Sequence, residues 1–238
     1  MIHLGELLFP ARCPVCDKPV TYVDKKDGIC RECREKLPLI RGARCYRCGR
    51  GIARLEEAFC TDCKQRGNTH DYTKGLALCT YDEVMREAIY RLKYAGRREY
   101  AQTFGKMMAE RFGAICRRAG VEGIIPVPLH PEREKKRGYN QAALLAEAFG
   151  AWAGIPVYPN YIVRKKNTPP LKAMDRAERQ NNLKKAFNIG QNDVKLKIII
   201  VMDDIYTTGS TIDAVAKLLK ENGVVSVYYI TLAIGEDM

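Results

Sequence analysis

No apolar run in this 238-residue sequence approaches the roughly 20 residues that a membrane-spanning helix needs. The opening stretch, MIHLGELLFPARC, is too short and too poorly flanked for a secretory signal peptide. With 46% hydrophobic residues, nothing in the composition reads as disordered or collagenous. Ten cysteines invite a disulfide reading, but no export signal is expected ahead of them. In a reducing compartment, closely paired cysteines point to metal. These absences lead to the expectation of a cytoplasmic protein with one medium domain and one small one.

Eight of the cysteines form four C-x-x-C pairs before residue 64: Cys13/Cys16, Cys30/Cys33, Cys45/Cys48 and Cys60/Cys63. Thiolates at i and i+3 grip one Zn²⁺ from a tight turn, and two such turns complete a tetrahedron. The first and third pairs are 32 residues apart, and the second and fourth are 30 apart. The segment is therefore a duplicated C-x-x-C…C-x-x-C unit. Each unit supplies four ligands, which favours two sequential structural Cys₄ sites over a cross-braced pair. Redox-active dithiols are the alternative, and four regularly spaced pairs count against them. Cys79 and Cys116 lie outside the pattern and read as small buried apolar residues. The formal charge of +12 falls to about +8 once two zincs and eight thiolates are included. A basic balance suits phosphate ligands or nucleic acid without choosing between them.

The character of the chain changes after this module, which gives expected domains of 1–70 and 71–238. Strands are expected at 75–81, 123–127, 157–163, 196–202 and 224–234. One helix should be lined by Met85, Ala88, Ile89 and Leu92, and the next by Phe104, Met108, Phe112 and Ile115. Leu144, Leu145, Ala148, Phe149 and Trp152 mark a third, and Ile212, Val215, Ala216 and Leu219 a fourth that Gly223 closes. Residues 164–185 read as a basic loop, then helical. Such alternation argues an α/β fold with a mainly parallel sheet and flanking helices. The nearly continuous apolar run at 196–202 suits a strand buried on both faces.

The most informative segment is VMDDIYTTGST at 201–211. An apolar strand delivers Asp203 and Asp204 to its carboxyl end, where ligands of open α/β sheets bind. Thr207, Thr208, Gly209, Ser210 and Thr211 then open a helix, whose free N–H groups and positive end suit a phosphate. The two acids cannot serve a phosphate, but they can hold ribose hydroxyls and a Mg²⁺ shell. The plainer alternative is a βα turn whose acids and hydroxyls only cap the helix.

This segment resembles the signature with which type I phosphoribosyltransferases bind 5-phosphoribosyl-1-pyrophosphate (PRPP). The stretches IIPVPLHPEREKKRGYNQAALLA at 124–146, LKYAGR at 92–97 and RAERQNNLKKAF at 176–187 resemble the ComF (GntX-like) family, as does the cysteine module, a double zinc ribbon. The resemblance covers essentially the whole chain and implies a phosphoribosyltransferase-like fold. It implies that Asp203 and Asp204 bind the ribose hydroxyls and that residues 207–211 cradle the 5-phosphate. It makes Val127, Pro128, Leu129 and His130 the pyrophosphate loop. It also makes 164–180 a hood from which Arg164, Lys165, Lys166 or Arg179 reaches the pyrophosphate. A glutamine expected near Leu171 is absent, for the sequence there reads Thr168-Pro169-Pro170-Leu171.

Two functions follow as expectations. One is a phosphoribosyltransferase that uses PRPP with Mg²⁺ and an acceptor the sequence does not identify. The other is a competence protein that handles single-stranded DNA, with a competence helicase as partner and PRPP or a nucleotide as ligand. The sequence supports the second through its charge, through Arg44, Arg47, Arg50 and Arg54 on the ribbons, and through Tyr46, which could stack on bases.

Overall fold

The computed structural model describes residues 10–21, 24–54, 56–67, 69–164, 186–190 and 194–236. The duplicated cysteine units form two small modules, each a hairpin turn followed by a short helix. Isolated antiparallel bridges pair Arg12 with Pro19 in the first and Arg44 with Gly51 in the second. The helices are α1 (Arg31–Lys36) and α2 (Thr61–Arg66).

Behind them run β1 (Lys74–Thr80), α3 (Glu83–Tyr94), α4 (Tyr100–Arg118), β2 (Gly123–Pro126), α5 (Pro131–Arg137) and α6 (Gln141–Ala153). The chain continues with β3 (Ile162–Arg164), β4 (Phe187–Ile189), β5 (Ile198–Tyr206), α7 (Ser210–Glu221) and β6 (Ser226–Ile234). Four strands form a sheet in the order β1-β6-β5-β2, parallel throughout, while β3 and β4 pair antiparallel beside it. The expected mainly parallel α/β architecture behind a double ribbon is the one present.

Local chemistry explains the element boundaries. Asp82 caps α3 by accepting from Met85 N at 2.9 Å, and Asn140 caps α6 by accepting from Ala142 N at 3.0 Å. Gly138 and Gly154 end α5 and α6 in left-handed turns. The central strand β5 is apolar on both faces up to Met202 because helices cover both sides of the sheet. No helix among the described residues is long and apolar enough to cross a membrane.

The structure departs from the sequence expectations in several places. A strand over 157–163 does not form. Val157 makes a single parallel bridge to Ile124, the chain turns at Pro159 and Asn160, and only 162–164 is extended. Pro159 has no N–H to offer a sheet. Ile115 is 48% exposed because the i, i+4 line through Phe104, Met108 and Phe112 continues at Cys116. Trp152 is 59% exposed, and Lys106 Nζ lies 5.1 Å from its ring centroid. Cys79 and Cys116 are buried as expected, and burial pushes their thiols up to about 12 and about 11. The predicted transition from loop to helix over 165–185 lies outside the described residues.

The first ribbon packs on α3 and α4, and the second on the sheet. Cys13, Ile29, Cys33 and Leu37 share one apolar cluster with Met85, Phe104 and Met108. Cys45, Cys48, Cys60 and Cys63 share the other with Tyr72, Tyr206 and Tyr229. Gly49 has φ +74, and a Cβ there would strike the Gly75 carbonyl, so the second ribbon approaches β1 closely only with glycine at this position.

Candidate functional site

Each cysteine unit closes on itself. The Sγ atoms of Cys13, Cys16, Cys30 and Cys33 all lie within 4.8 Å of one another, and so do those of Cys45, Cys48, Cys60 and Cys63. This is the sequential arrangement. In both units the first pair sits on a turn closed by a bond to the carbonyl of its leading cysteine. Asp17 N donates to Cys13 O and Gly49 N to Cys45 O, both at 2.9 Å. Asp17 and Gly49 occupy equivalent places with φ +60 and +74. The second pair straddles a helix start, with Cys30 and Cys60 at the N-caps of α1 and α2. Tetrahedral Zn²⁺ with Zn–S near 2.3 Å needs sulfur–sulfur edges of about 3.8 Å. The Cys16–Cys30 and Cys48–Cys60 separations are 3.8 and 3.6 Å. The donor sets fit two structural zincs. A thiolate is already favoured at Cys45 by hydrogen bonds from Cys48, Cys60 and Cys63. A closed Cys₄ shell leaves no position for catalysis.

The second site lies at the carboxyl ends of β5 and β2. Strand β5 does not stop at Met202. It continues through Asp203 and Asp204 to Tyr206, held by β6 through the pairs Asp203↔Thr231 and Tyr206↔Ile234. The acids are therefore fixed on the strand, and only 207–209 form the connection to α7. Lys93, from the last turn of α3, reaches Asp204 Oδ2 at 2.6 Å. Their side chains are 19% and 5% exposed. Asp203 Oδ1 accepts from Asp204 N at 2.8 Å. Burial, with the Asp204 carboxylate beside it, pushes Asp203 up to about 8, against the opposing pull of Lys93.

Residues 207–211 form an open rim: Thr207 and Thr208 are exposed, and Thr208 Oγ1 lies 3.0 Å from Ser210 Oγ. Gly209 is the N-cap of α7 at φ +77. A Cβ on it would strike the Tyr206 hydroxyl, so the glycine is required by the tyrosine beneath the loop as well as by its backbone. Tyr206 cannot give way easily. It is stacked on Tyr229 at 4.8 Å, and its hydroxyl is 2.9 Å from that of Tyr72.

The neighbouring loop is joined to the same place. Val127 N donates to Met202 O at 2.9 Å, and Val127 O accepts from Asn140 Nδ2 at 3.0 Å. Val127 is buried, while Pro128, Leu129 and His130 are half-buried. His130 caps α5, its Nδ1 accepting from Glu132 N at 3.3 Å. Arg164 packs over the Phe187 ring at 5.5 Å. Burial lowers its pKa. Lys165, Lys166 and Arg179 lie outside the described residues.

Sequence reasoning missed Lys93. The signal was present, since Met85, Ile89 and Lys93 are spaced i, i+4, i+8 and put a lysine on the buried line of α3. It also over-read the ribbon arginines. Arg50 is 4% exposed and paired with Asp62 at 2.8 Å. Arg44 donates to Ala77 O and Ile40 O, and burial lowers it to about 10. Both hold the ribbon together and neither offers a free cation to DNA. Arg47 is half-buried, with Nη1 3.4 Å from Tyr72 O, and Arg54 is 78% exposed beside Glu57.

Residues 4–64 match the family described as a double zinc ribbon domain. Over 204 residues the chain is 30% identical to competence protein F of Haemophilus influenzae, covering 84% of this chain and 87% of that protein. It is 31% identical over 209 residues to competence protein ComFC of Bacillus subtilis, covering 83% and 80%. A solved structure described as a glutamic acid mutant at an invariant aspartic acid of HPRTs overlaps 58% of this chain and 68% of that one. The identity is 14% and the TM-score 0.37, too slight a likeness to argue from.

Proposed function

The chain belongs to the ComF (GntX-like) family, and from that premise we propose that it binds PRPP with Mg²⁺ at the carboxyl end of β5, in the service of DNA uptake. The observation that carries the reading is the adjacent acids Asp203 and Asp204, the latter buried and tied down by Lys93, directly before the loop that opens α7. The N–H groups at the start of α7 and the hydroxyls of Thr207, Thr208, Ser210 and Thr211 would take the 5-phosphate. Asp203 and Asp204 would take the ribose hydroxyls. Residues 127–130 and Arg164 would meet the pyrophosphate, and Lys165, Lys166 and Arg179 would reach it from the hood.

The acid pair would suit a magnesium shell shared with ligand oxygens, because Lys93 pairs with Asp204 alone and no ion pair to Asp203 is present among the described residues. When bound, Mg²⁺ would supply positive charge to the pyrophosphate leaving group. The chain's own residues would do the rest. The carboxylates would stabilise positive charge developing on the ribose ring, and Lys93 would hold Asp204 in register for it. In a transferase, a nitrogen nucleophile would attack the anomeric carbon as pyrophosphate departs. A PRPP consumption assay against purines, pyrimidines, orotate and ammonia tests turnover. Pyrophosphate release with at least one acceptor is expected, and binding without release from any would leave a ligand-sensing module.

Single-stranded DNA handling is a second reading, and one surface feature favours it. Tyr46 is 66% exposed on the second ribbon, with Phe59 edge-on at 6.5 Å and Lys74 Nζ 4.2 Å from its ring centroid. A base could stack on this ring beside a cation. Tyr46→Ala should weaken single-stranded DNA binding about tenfold in a low-salt fluorescence titration, the loss of one stacked base. Binding should also fall steeply with salt. Unchanged affinity in the variant would remove Tyr46 from the interface.

A further inference from the structure

We infer that the second zinc ribbon is part of the anion site, with Arg66 as a positioning residue for the 207–211 loop, so that zinc held by Cys45, Cys48, Cys60 and Cys63 and phosphate held by the loop stabilise each other. This rests on the reading that the loop takes phosphate.

The contacts run in one direction. Arg66, the last residue of α2, donates from Nη1 to Thr208 O at 2.6 Å. A trans peptide is planar, with its C=O and N–H on opposite sides. Drawing the Thr208 carbonyl toward Arg66 therefore turns the Gly209 N–H away from the ribbon. Below the loop, Tyr229 OH donates to Cys48 O at 2.7 Å and stacks under Tyr206, whose hydroxyl excludes any side chain from Gly209. Behind the first turn of α7, the Asp213 carboxylate meets His70 Nδ1 at 3.1 Å and accepts from Asp71 N at 3.2 Å. A cavity of about 10 Å³ remains between ribbon and loop, lined by Cys63, Arg66, His70, Tyr206, Thr207 and Thr208. It is about the size of one water, and the buried Nε2 of His70 has no partner among the described residues.

The internal duplication supplies a control. Aligning Cys33 with Cys63 makes Lys36 the counterpart of Arg66. Lys36 is exposed, and its ribbon docks elsewhere, on α3 and α4. Arg91 Nη1 donates to Val15 O at 2.8 Å, Arg97 pairs with Asp17 at 3.2 Å and Lys106 Nζ donates to Lys26 O at 2.7 Å. The two copies share their metal chemistry and differ in what they hold.

Coupling between two ligands is reciprocal. Ribose 5-phosphate is a suitable probe because it carries the phosphate and needs no added metal. In the full chain, Arg66→Ala should weaken its binding about tenfold by calorimetry, Lys36→Ala should leave it within about twofold, and Arg66→Lys should restore part of the loss. Saturating ribose 5-phosphate should slow release of one of the two zincs to a chromogenic chelator, in wild type and Lys36→Ala but not in Arg66→Ala. If wild type binds ribose 5-phosphate while Arg66→Ala binds equally well, or neither zinc is protected, the inference is overturned and the phosphate reading stands. If wild type shows no binding at about 10 mM, both fall, since such a site would be weaker than any the loop's hydrogen bonds should give.

Discussion

Replacing Cys45 and Cys48 together by serine is expected to lower the zinc content from two per chain to one and to unfold the second ribbon. The zinc count follows from the sequential grouping, since the first four sulfurs lie together without help from the second unit. The structural cost follows from magnitude. Zinc binding to sites of this kind supplies about 10–16 kcal/mol of folding free energy, comparable to the whole net stability of a domain at about 5–15 kcal/mol. The loss would spread to the sheet, because Cys48 O accepts from Tyr229 OH and the site shares its cluster with Tyr72 and Tyr206. Elemental analysis gives the stoichiometry, and hydrogen exchange should show lost protection in 43–67 and around Tyr206. Loss of both zincs would support cross-bracing, and a wild-type protein purified without chelator yet free of zinc would remove the metal assignment.

Lys93→Met is expected to cost about 3 kcal/mol, toward the low end for breaking a buried pair because Lys93 keeps some solvent contact. Its removal leaves the buried Asp204 carboxylate without its cation and beside a second acid, Asp203. Asp203, already up at about 8, would rise further, since Lys93 holds it down together with the hydrogen bond from Asp204 N. The sign of the pH dependence follows. Asp203 binds its proton more tightly folded than unfolded, so its contribution is fully present below about pH 4, the ordinary carboxylate value. It is lost as pH rises toward about 8 in wild type, and over a higher range in Lys93→Met. Thermal unfolding without Mg²⁺ should show the variant's deficit larger at about pH 9.5 than at about pH 7, because the two proteins part only above the wild-type value of about 8. An equal deficit at both would mean that the lysine does not act through the acid pair.

The cysteine spacing made the zinc grouping legible in the sequence, because ligand sets are local and the duplication repeats them. The turn from β5 into α7 was legible for the same reason, since strand, acids, hydroxyls and helix start are contiguous in 201–211. What escaped is non-local. Asp203 and Asp204 stay on the strand because β6 pairs with them up to Tyr206, and no local residue announces that. Arg44 and Arg50 looked like free cations until the fold supplied Ala77 O and Asp62 as partners. The strand expected at 157–163 failed at Pro159, a local signal that the run of apolar residues obscured. Arg66 meets Thr208 across 142 residues of chain, a contact that spacing cannot reveal.

Isothermal calorimetry of PRPP with Mg²⁺, on wild type and on Asp204→Asn, tests the central claim most directly. Wild type should bind with measurable heat. Asp204→Asn should bind PRPP at least about tenfold more weakly, having lost the charged partner of a hydrogen-bonded ligand, worth about 1.5–3 kcal/mol. Its affinity for inorganic phosphate should change little, because the 207–211 rim is intact. No PRPP heat from wild type at millimolar ligand, or equal PRPP affinity in the variant, would contradict the assignment of the β5 end as the PRPP site.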